Sequence, residues 1–397
     1  METTAKILTK LEDVLYTKAE KVNLPIIDED LGVIIFFATL YNNTKDESYK
    51  QKALQLFNKT VKVFADHELN YSMIHGFEGI FWTVNYLYES NILENEDILA
   101  NLEPYLLESI EYDLQNHNYN ILHGCLGKIQ YYLYSKSVDQ EKASNVINRV
   151  IQSLYNNRIE ENGSINWKDL RLKTGLNIGF FNGHPAVLKF LVRLKEFGYQ
   201  NEQIDEMINK LVDTLLQSIQ QQDKKVTIRG KQIKEGDQYY SVIELHGNLT
   251  LAYSLYYTGL VLNREDLKEI AYQLTLEASS KDPKNSGIMY FDRYSFQDVG
   301  MSHGLGGVTY LLFKLNNWMK DSKIKENIAV WEKEFLKNTD KILSIEEKIL
   351  MPEIFQKDHN EYPYDKYSLL DGILGSGLVI SSLHYNQDNW GNYLAMY

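Results

Sequence analysis

The sequence predicts an all-α fold, an α/α toroid (barrel) of about seven inner and seven outer helices. Three observations carry this. A turn of small residues that opens straight into an apolar run recurs seven times. Polar-faced helices alternate with those apolar ones. Only 6 prolines interrupt 397 residues, which leaves long stretches free to be helical.

The turn is fullest at Gly300-Met301-Ser302-His303-Gly304-Leu305-Gly306-Gly307, which leads into Val308–Phe313. His75-Gly76, His123-Gly124, Asn182-Gly183, His246-Gly247 and Asp371-Gly372 open their own apolar runs, and a fainter copy, Asp28 to Gly32, opens Val33–Phe37. Aligned on Gly32, Gly76, Gly124, Gly183, Gly247, Gly304 and Gly372, the copies recur at or above the upper edge of the period of stacked helical repeats. Each unit is a helix pair that cannot bury its apolar member alone, so its neighbours must supply the core. Helices apolar nearly all round belong inside and the more polar ones outside. Closure removes the need for capping repeats, and residues 1–397 read as one domain.

Taken in order, residues 1–25 form an amphipathic helix with Ile7, Leu8, Leu11, Val14 and Leu15 on one face. Leu31–Tyr41 is the first inner helix, Ser48–His67 its outer partner and Ile80–Tyr88 the second inner helix. Ile98–Tyr112, Asp139–Asn156, Asn201–Gln221, Arg264–Ser280 and Asp321–Ile342 then alternate with the glycine-opened helices. Three connections are less regular: residues 156–177, the basic run 223–236, and residues 281–300. All precede glycine turns and are placed to close over one mouth of the toroid, where a ligand would sit. A solvated loop accounts equally for the basic run. Glycine suits each turn because the backbone there starts a helix under close packing. Helix N-termini converging on that mouth would offer free N–H groups and positive dipole ends, suited to a carboxylate or an enolate.

The balance of 41 basic and 54 acidic residues, net charge -13, argues against a phosphate-tracking surface and so against nucleic acid. No apolar run reaches membrane-span length, and the N-terminus lacks a signal-peptide core. With a single cysteine, Cys125, no disulfide framework exists, and a cytoplasmic location is expected. Cys125 itself, just inside an apolar helix, reads as a packing residue.

The seven-fold turn resembles that of the lanthionine synthetase C-like (LanC-like) family. Gly300–Gly307 is similar to the family's Cys-His-Gly segment and Asn177–Gly183 to its Asn-Leu-Gly-Leu-Ala-His-Gly segment. The resemblance implies an α/α barrel that joins a peptide Cys thiol to dehydrated Ser or Thr, forming thioether rings. It implies a precursor peptide as partner and allows a dehydratase as a second. Family members hold zinc through a Cys in Trp-Cys-Tyr-Gly and through both residues of Cys-His-Gly. Here Leu245 and Ser302 stand where those cysteines belong, and only His303 remains. No metal ligand set is therefore assigned, and no cofactor is expected. Other family positions differ too: Asn120 for an Asp, Asn182 for a His, the stretch at Ser241 where an Arg is usual, and His246 for a Tyr.

The candidate catalytic residues are His303 and His246, one as base on a thiol and the other as donor to the enolate. His184, two places from the family histidine, and Asp298, a carboxylate able to orient an imidazole, complete that set. Asn120, Asn182, Glu244, Ser302 and Asp371 are the substrate-binding candidates. His75 and His123 occupy the same slot in other turns and read as turn-holding residues. Two alternatives stand beside a zinc-free cyclase. One is a non-catalytic scaffold that holds a precursor peptide for another enzyme. The other is a glycan-processing barrel using Glu244 and Asp371 as paired carboxylates.

Overall fold

The computed structural model describes residues 2–21, 23–94, 97–136, 138–161, 163–168, 177–217, 219–222, 225–228, 247–352 and 363–397. The inner layer consists of α2 (Asp30–Thr44), α4 (Gly79–Glu89), the consecutive α6 (Cys125–Lys128) and α7 (Gln130–Tyr134), α9 (His184–Glu196), α11 (Asn248–Leu262), α13 (Leu305–Met319) and α15 (Ile373–Tyr385). Outside it run α1 (Glu2–Ala19), α3 (Glu47–Val63), α5 (Asp97–Gln115), α8 (Gln140–Asn156), α10 (Glu202–Gln217), α12 (Glu265–Ser279) and α14 (Ser322–Leu343). Among the described residues this gives seven inner units and seven outer helices, the third inner unit being broken at Ile129.

The two layers differ as their sequences require. Every residue of α2 from Asp30 to Leu40 is buried, so the helix faces protein on all sides. On α10 the buried set is Ile204, Met207, Ile208, Leu211, Val212, Thr214 and Leu215, a stripe at helical spacing.

Neighbouring turns are stitched together by main-chain hydrogen bonds. Ile121 N–H donates to Phe181 O (2.8 Å), Ile74 N–H to Leu122 O (3.2 Å) and Asp28 N–H to Ile74 O (3.2 Å). Ser302 N–H donates to Leu370 O and Leu369 N–H to Asp28 O, both at 2.9 Å. The last of these joins the final repeat to the first. The toroid is closed.

Glycine is required at the turns by space, since the backbone there is ordinary and extended, with φ of -139° at Gly124 and -108° at Gly304. A Cβ on Gly76 would lie 2.2 Å from Asn70 O, and one on Gly183 would lie 2.4 Å from Asn177 O. A second glycine three residues on is tighter still: a Cβ on Gly127 would lie 1.8 Å from Ile121 O, and one on Gly307 2.0 Å from Met301 O. This second position corrects the alignment of the first repeat. Gly32, whose Cβ would meet Ile27 O at 2.2 Å, matches Gly79 and Gly127 rather than Gly76, and Glu29 takes the first-glycine place as the residue that caps α2. Asp28 is therefore the counterpart of His75.

Each irregular connection carries a small antiparallel hairpin: β1 (Ile159–Glu161) with β2 (Ser164–Asn166), β3 (Ile219–Gln222) with β4 (Lys225–Ile228), and β5 (Tyr290–Phe291) with β6 (Phe296–Gln297). The helix expected to reach Gln221 stops at Gln217, because Ile219–Gln222 pairs with the β-branched run Val226-Thr227-Ile228 instead. The C-terminal segment fills the interior beside the later turns of the inner helices. There Lys189 Nζ donates to Ala395 O at 3.1 Å and the Tyr253 hydroxyl to Tyr397 O at 2.7 Å.

Candidate active site at the mouth of the barrel

Each turn delivers one side chain at the position before its first glycine. With the first repeat realigned, these are Asp28, His75, His123, Asn182, His303 and Asp371; His246, with Glu244 and Leu245, lies outside the described residues. Along one run of this ring, His303, Asp371, Asp28, His75 and His123, each member senses or touches the next.

His303 and Asp371 form one centre. Both side chains are exposed to solvent at the mouth, while their inner sides pack against protein. Burial pulls the His303 imidazole below its ordinary value, and the Asp371 charge opposes this. Burial likewise pushes the Asp371 carboxyl up, against the pull of His303, with the Ser302 hydroxyl hydrogen-bonded to it. The result is a neutral imidazole, able to accept a proton near pH 7, beside a carboxylate that steadies its protonated form.

The ring continues past Asp371 to Asp28, whose charge it feels. Asp28 Oδ1 accepts the Ser368 hydroxyl (2.8 Å) and the Leu370 N–H (2.9 Å), while Oδ2 lies 3.5 Å from His75 Nε2. The His75 ring stacks on His123 with centroids 5.2 Å apart.

The opposite part of the mouth is different in kind. A cavity of about 270 Å³ is lined by Asn118, Asn120, Asn182, His117, His184 and Trp167, among others. Asn120 Oδ1 accepts the Leu122 and His123 N–H groups at 2.7 and 3.1 Å, so one end of that side chain holds the turn. Asn182 Oδ1 is buried and accepts no hydrogen bond among the described residues. His184 is buried as the first residue of α9, its Nδ1 3.0 Å from Asn177 O and its ring 6.2 Å from that of Trp167. His184, Asn120 and Asn182 thus share one cavity, whose described lining does not include His303.

Asp298 sits within its own turn. Its Oδ1 accepts the Gly300 N–H at 2.8 Å and the Tyr364 hydroxyl at 3.2 Å, as Asn177 Oδ1 accepts the Gly179 N–H at 2.8 Å two turns earlier. Burial pushes its carboxyl up to about 7, with the Asp371 charge adding to the effect. Tyr364 also donates to Asp371 O, linking the two turns.

The lanthionine synthetase C-like family model matches residues 30–395. This chain belongs to that family. Among solved structures, nisin cyclase superposes with a TM-score of 0.69 at 19% identity, covering 99% of this chain and 96% of that one. A search of curated proteins gives no match. The expected all-α toroid is thus the fold of this LanC-like protein.

Zinc fits the described residues of this LanC-like protein poorly. Leu245 has no donor atom, and the Ser302 hydroxyl is engaged with Asp371. Among the described residues no three His, Cys, Asp or Glu side chains gather into a metal-binding group, whereas zinc sites take three or four such ligands. Cys125 is fully buried, and burial pushes its thiol well up, away from the reactive thiolate. Among the described residues no helix is long and apolar enough to cross a membrane. Sequence reasoning missed Asp28 entirely. Aligning the first repeat on the second glycine of the pair would have placed it beside the histidines.

Proposed function

We propose that this LanC-like protein closes thioether rings in a dehydrated precursor peptide, without zinc. A peptide Cys Sγ adds to Cβ of dehydroalanine or dehydrobutyrine. The S–H proton passes to His303, the sulfur pair forms the C–S bond, the C=C pair moves onto the enolate, and Cα takes up a proton. The observation that carries the reading is the His303–Asp371–Ser302 group at the mouth of a barrel of this family. A free thiol has a pKa of about 8.5, so a neutral imidazole and enforced proximity can supply much of the activation that a metal would. The amide-lined cavity would receive a neighbouring part of the peptide. A dehydratase working alongside is the natural source of the dehydrated substrate.

A scaffold that binds precursor peptide without turnover is the second reading, favoured by the amides at Asn120 and Asn182 in place of the family's acid and imidazole. One experiment separates the two. Protein purified without a histidine tag is assayed for metal and for ring formation on a dehydrated, Cys-containing peptide encoded beside its gene. Rings without metal support the zinc-free cyclase, and stoichiometric zinc overturns its metal-free chemistry. Peptide bound without rings supports the scaffold.

A further inference from the structure

Addition across a C=C bond moves two protons at two places: one leaves sulfur near Cβ, and one arrives at Cα. We infer that His75, held by Asp28 at the mouth, is the second acid–base group, the one that delivers a proton to Cα. This rests on the cyclase reading above.

Four observations converge on it. His75 occupies the same place in its turn as His303 does, so both belong to one ring of side chains at the mouth. Its side chain is 39% exposed, whereas that of Asp28 is 11% exposed, so the imidazole is accessible and its carboxylate partner is sheltered. Asp28 is fixed from the far side by the Ser368 hydroxyl and the Leu370 N–H, which leaves Oδ2 to face His75 Nε2 at 3.5 Å. The His123 ring stacks on that of His75. An imidazole facing a fixed carboxylate and stacked on a second ring is oriented as acid–base histidines are, by a positioned anion. A histidine whose work was only to hold its turn would not need this, because the Ser72 hydroxyl already accepts the His75 N–H at 3.0 Å. The groups facing His75 are Asp28 and His123, with Asp371 and Asp365 next along the ring beyond Asp28.

The step balances. The His75 ring gives a proton to Cα as the enolate pair forms the new C–H bond, and the ring regains one from water. His303 returns the thiol proton to water. Asp28 is a positioning residue here and does not touch the reacting atoms.

The test compares wild type, His75→Gln, His246→Ala and Asp28→Asn on the dehydrated peptide, reading the rate, the configuration at Cα of the product and the unfolding midpoint. The expected result for His75→Gln is about a 100-fold loss of rate. A mixture of Cα configurations should accompany it, because water would then protonate both faces. Asp28→Asn keeps an oxygen for Ser368 and Leu370, and a loss of about tenfold with an altered pH–rate profile is expected. His75→Gln with wild-type rate and a single configuration overturns the inference, as does a configurational mixture arising from His246→Ala alone. A mixed product from His75→Gln at an unchanged unfolding midpoint supports it. Failure of wild type to form rings sinks the cyclase reading itself, a distinguishable outcome.

Discussion

Two parts of the same mouth, built from the same turn, have taken on opposite chemistry. The third and fourth turns gather amides, Asn118, Asn120, Asn177 and Asn182, with His117, His123 and His184, around a cavity with a tryptophan wall. The sixth, seventh, first and second turns present His303, Asp371, Asp28 and His75, each sensing the next. Amides exchange no protons near neutral pH but offer both donors and acceptors, which suits holding a peptide. Imidazoles and carboxylates move protons. The main-chain bonds between turns do not themselves use the side chain that each turn delivers, although Asp28 adds bonds of its own to Ser368 and Leu370. One fold can therefore relocate its reactive side chains around the ring without altering its architecture.

The sharpest way to break this division is His303→Ala. We expect ring formation to fall by about 10²–10⁴-fold with little change in folding, since the side chain lies at the mouth and not in the core. Mass spectrometry of thiol-alkylated product reads the rate. Full activity in the variant would remove the acid–base arc from the mechanism. Asn182→Ala should behave differently: KM rises by roughly three- to tenfold while kcat holds, as for loss of uniform binding. A fall in kcat matching that of His303→Ala would show that the amide half carries chemistry after all.

The closed toroid was legible because it is written repeatedly: glycine before an apolar run, and a helix with one apolar face after it. The site was legible only in part. His303 and Asp371 could be named from their place before a glycine, and the structure puts them together. Asp28 was hidden because Gly32 answers to the second glycine of the turn, and a three-residue slip in the alignment hides the pairing with His75. Periodicity says where a turn begins and cannot say which of two glycines fills it. The start of the helix decides that: Gly32 is the third residue of α2 behind Glu29, as Gly127 is of α6 behind Gly124. The hairpin β3–β4 was illegible for a related reason: α10 and the residues after it share an apolar, glutamine-rich composition, and pairing across the hairpin settles what local preference leaves open.

The smallest effect expected comes from Asp298, which separates turn-holding carboxylates from reactive ones. Its carboxyl is pushed up from the ordinary carboxylate range to about 7, through burial first and the Asp371 charge after it. A carboxyl raised on folding contributes stability that is complete below the unfolded pKa and is lost as pH climbs through the folded one. Wild type should therefore lose stability between about pH 4 and pH 7 from this group, as the ionised form is forced into the turn. Asn keeps the Oδ1 acceptor for Gly300 N–H, the role that Asn177 plays for Gly179, and cannot ionise. Asp298→Asn should flatten the decline and leave the variant about 1–2 kcal/mol more stable than wild type at pH 8, but not at pH 4. Denaturant unfolding at the two pH values measures it. Equal slopes in both proteins would mean that Asp298 stays ionised throughout, and a carboxylate held so close to Asp371 would then belong with the reactive arc rather than with the turns.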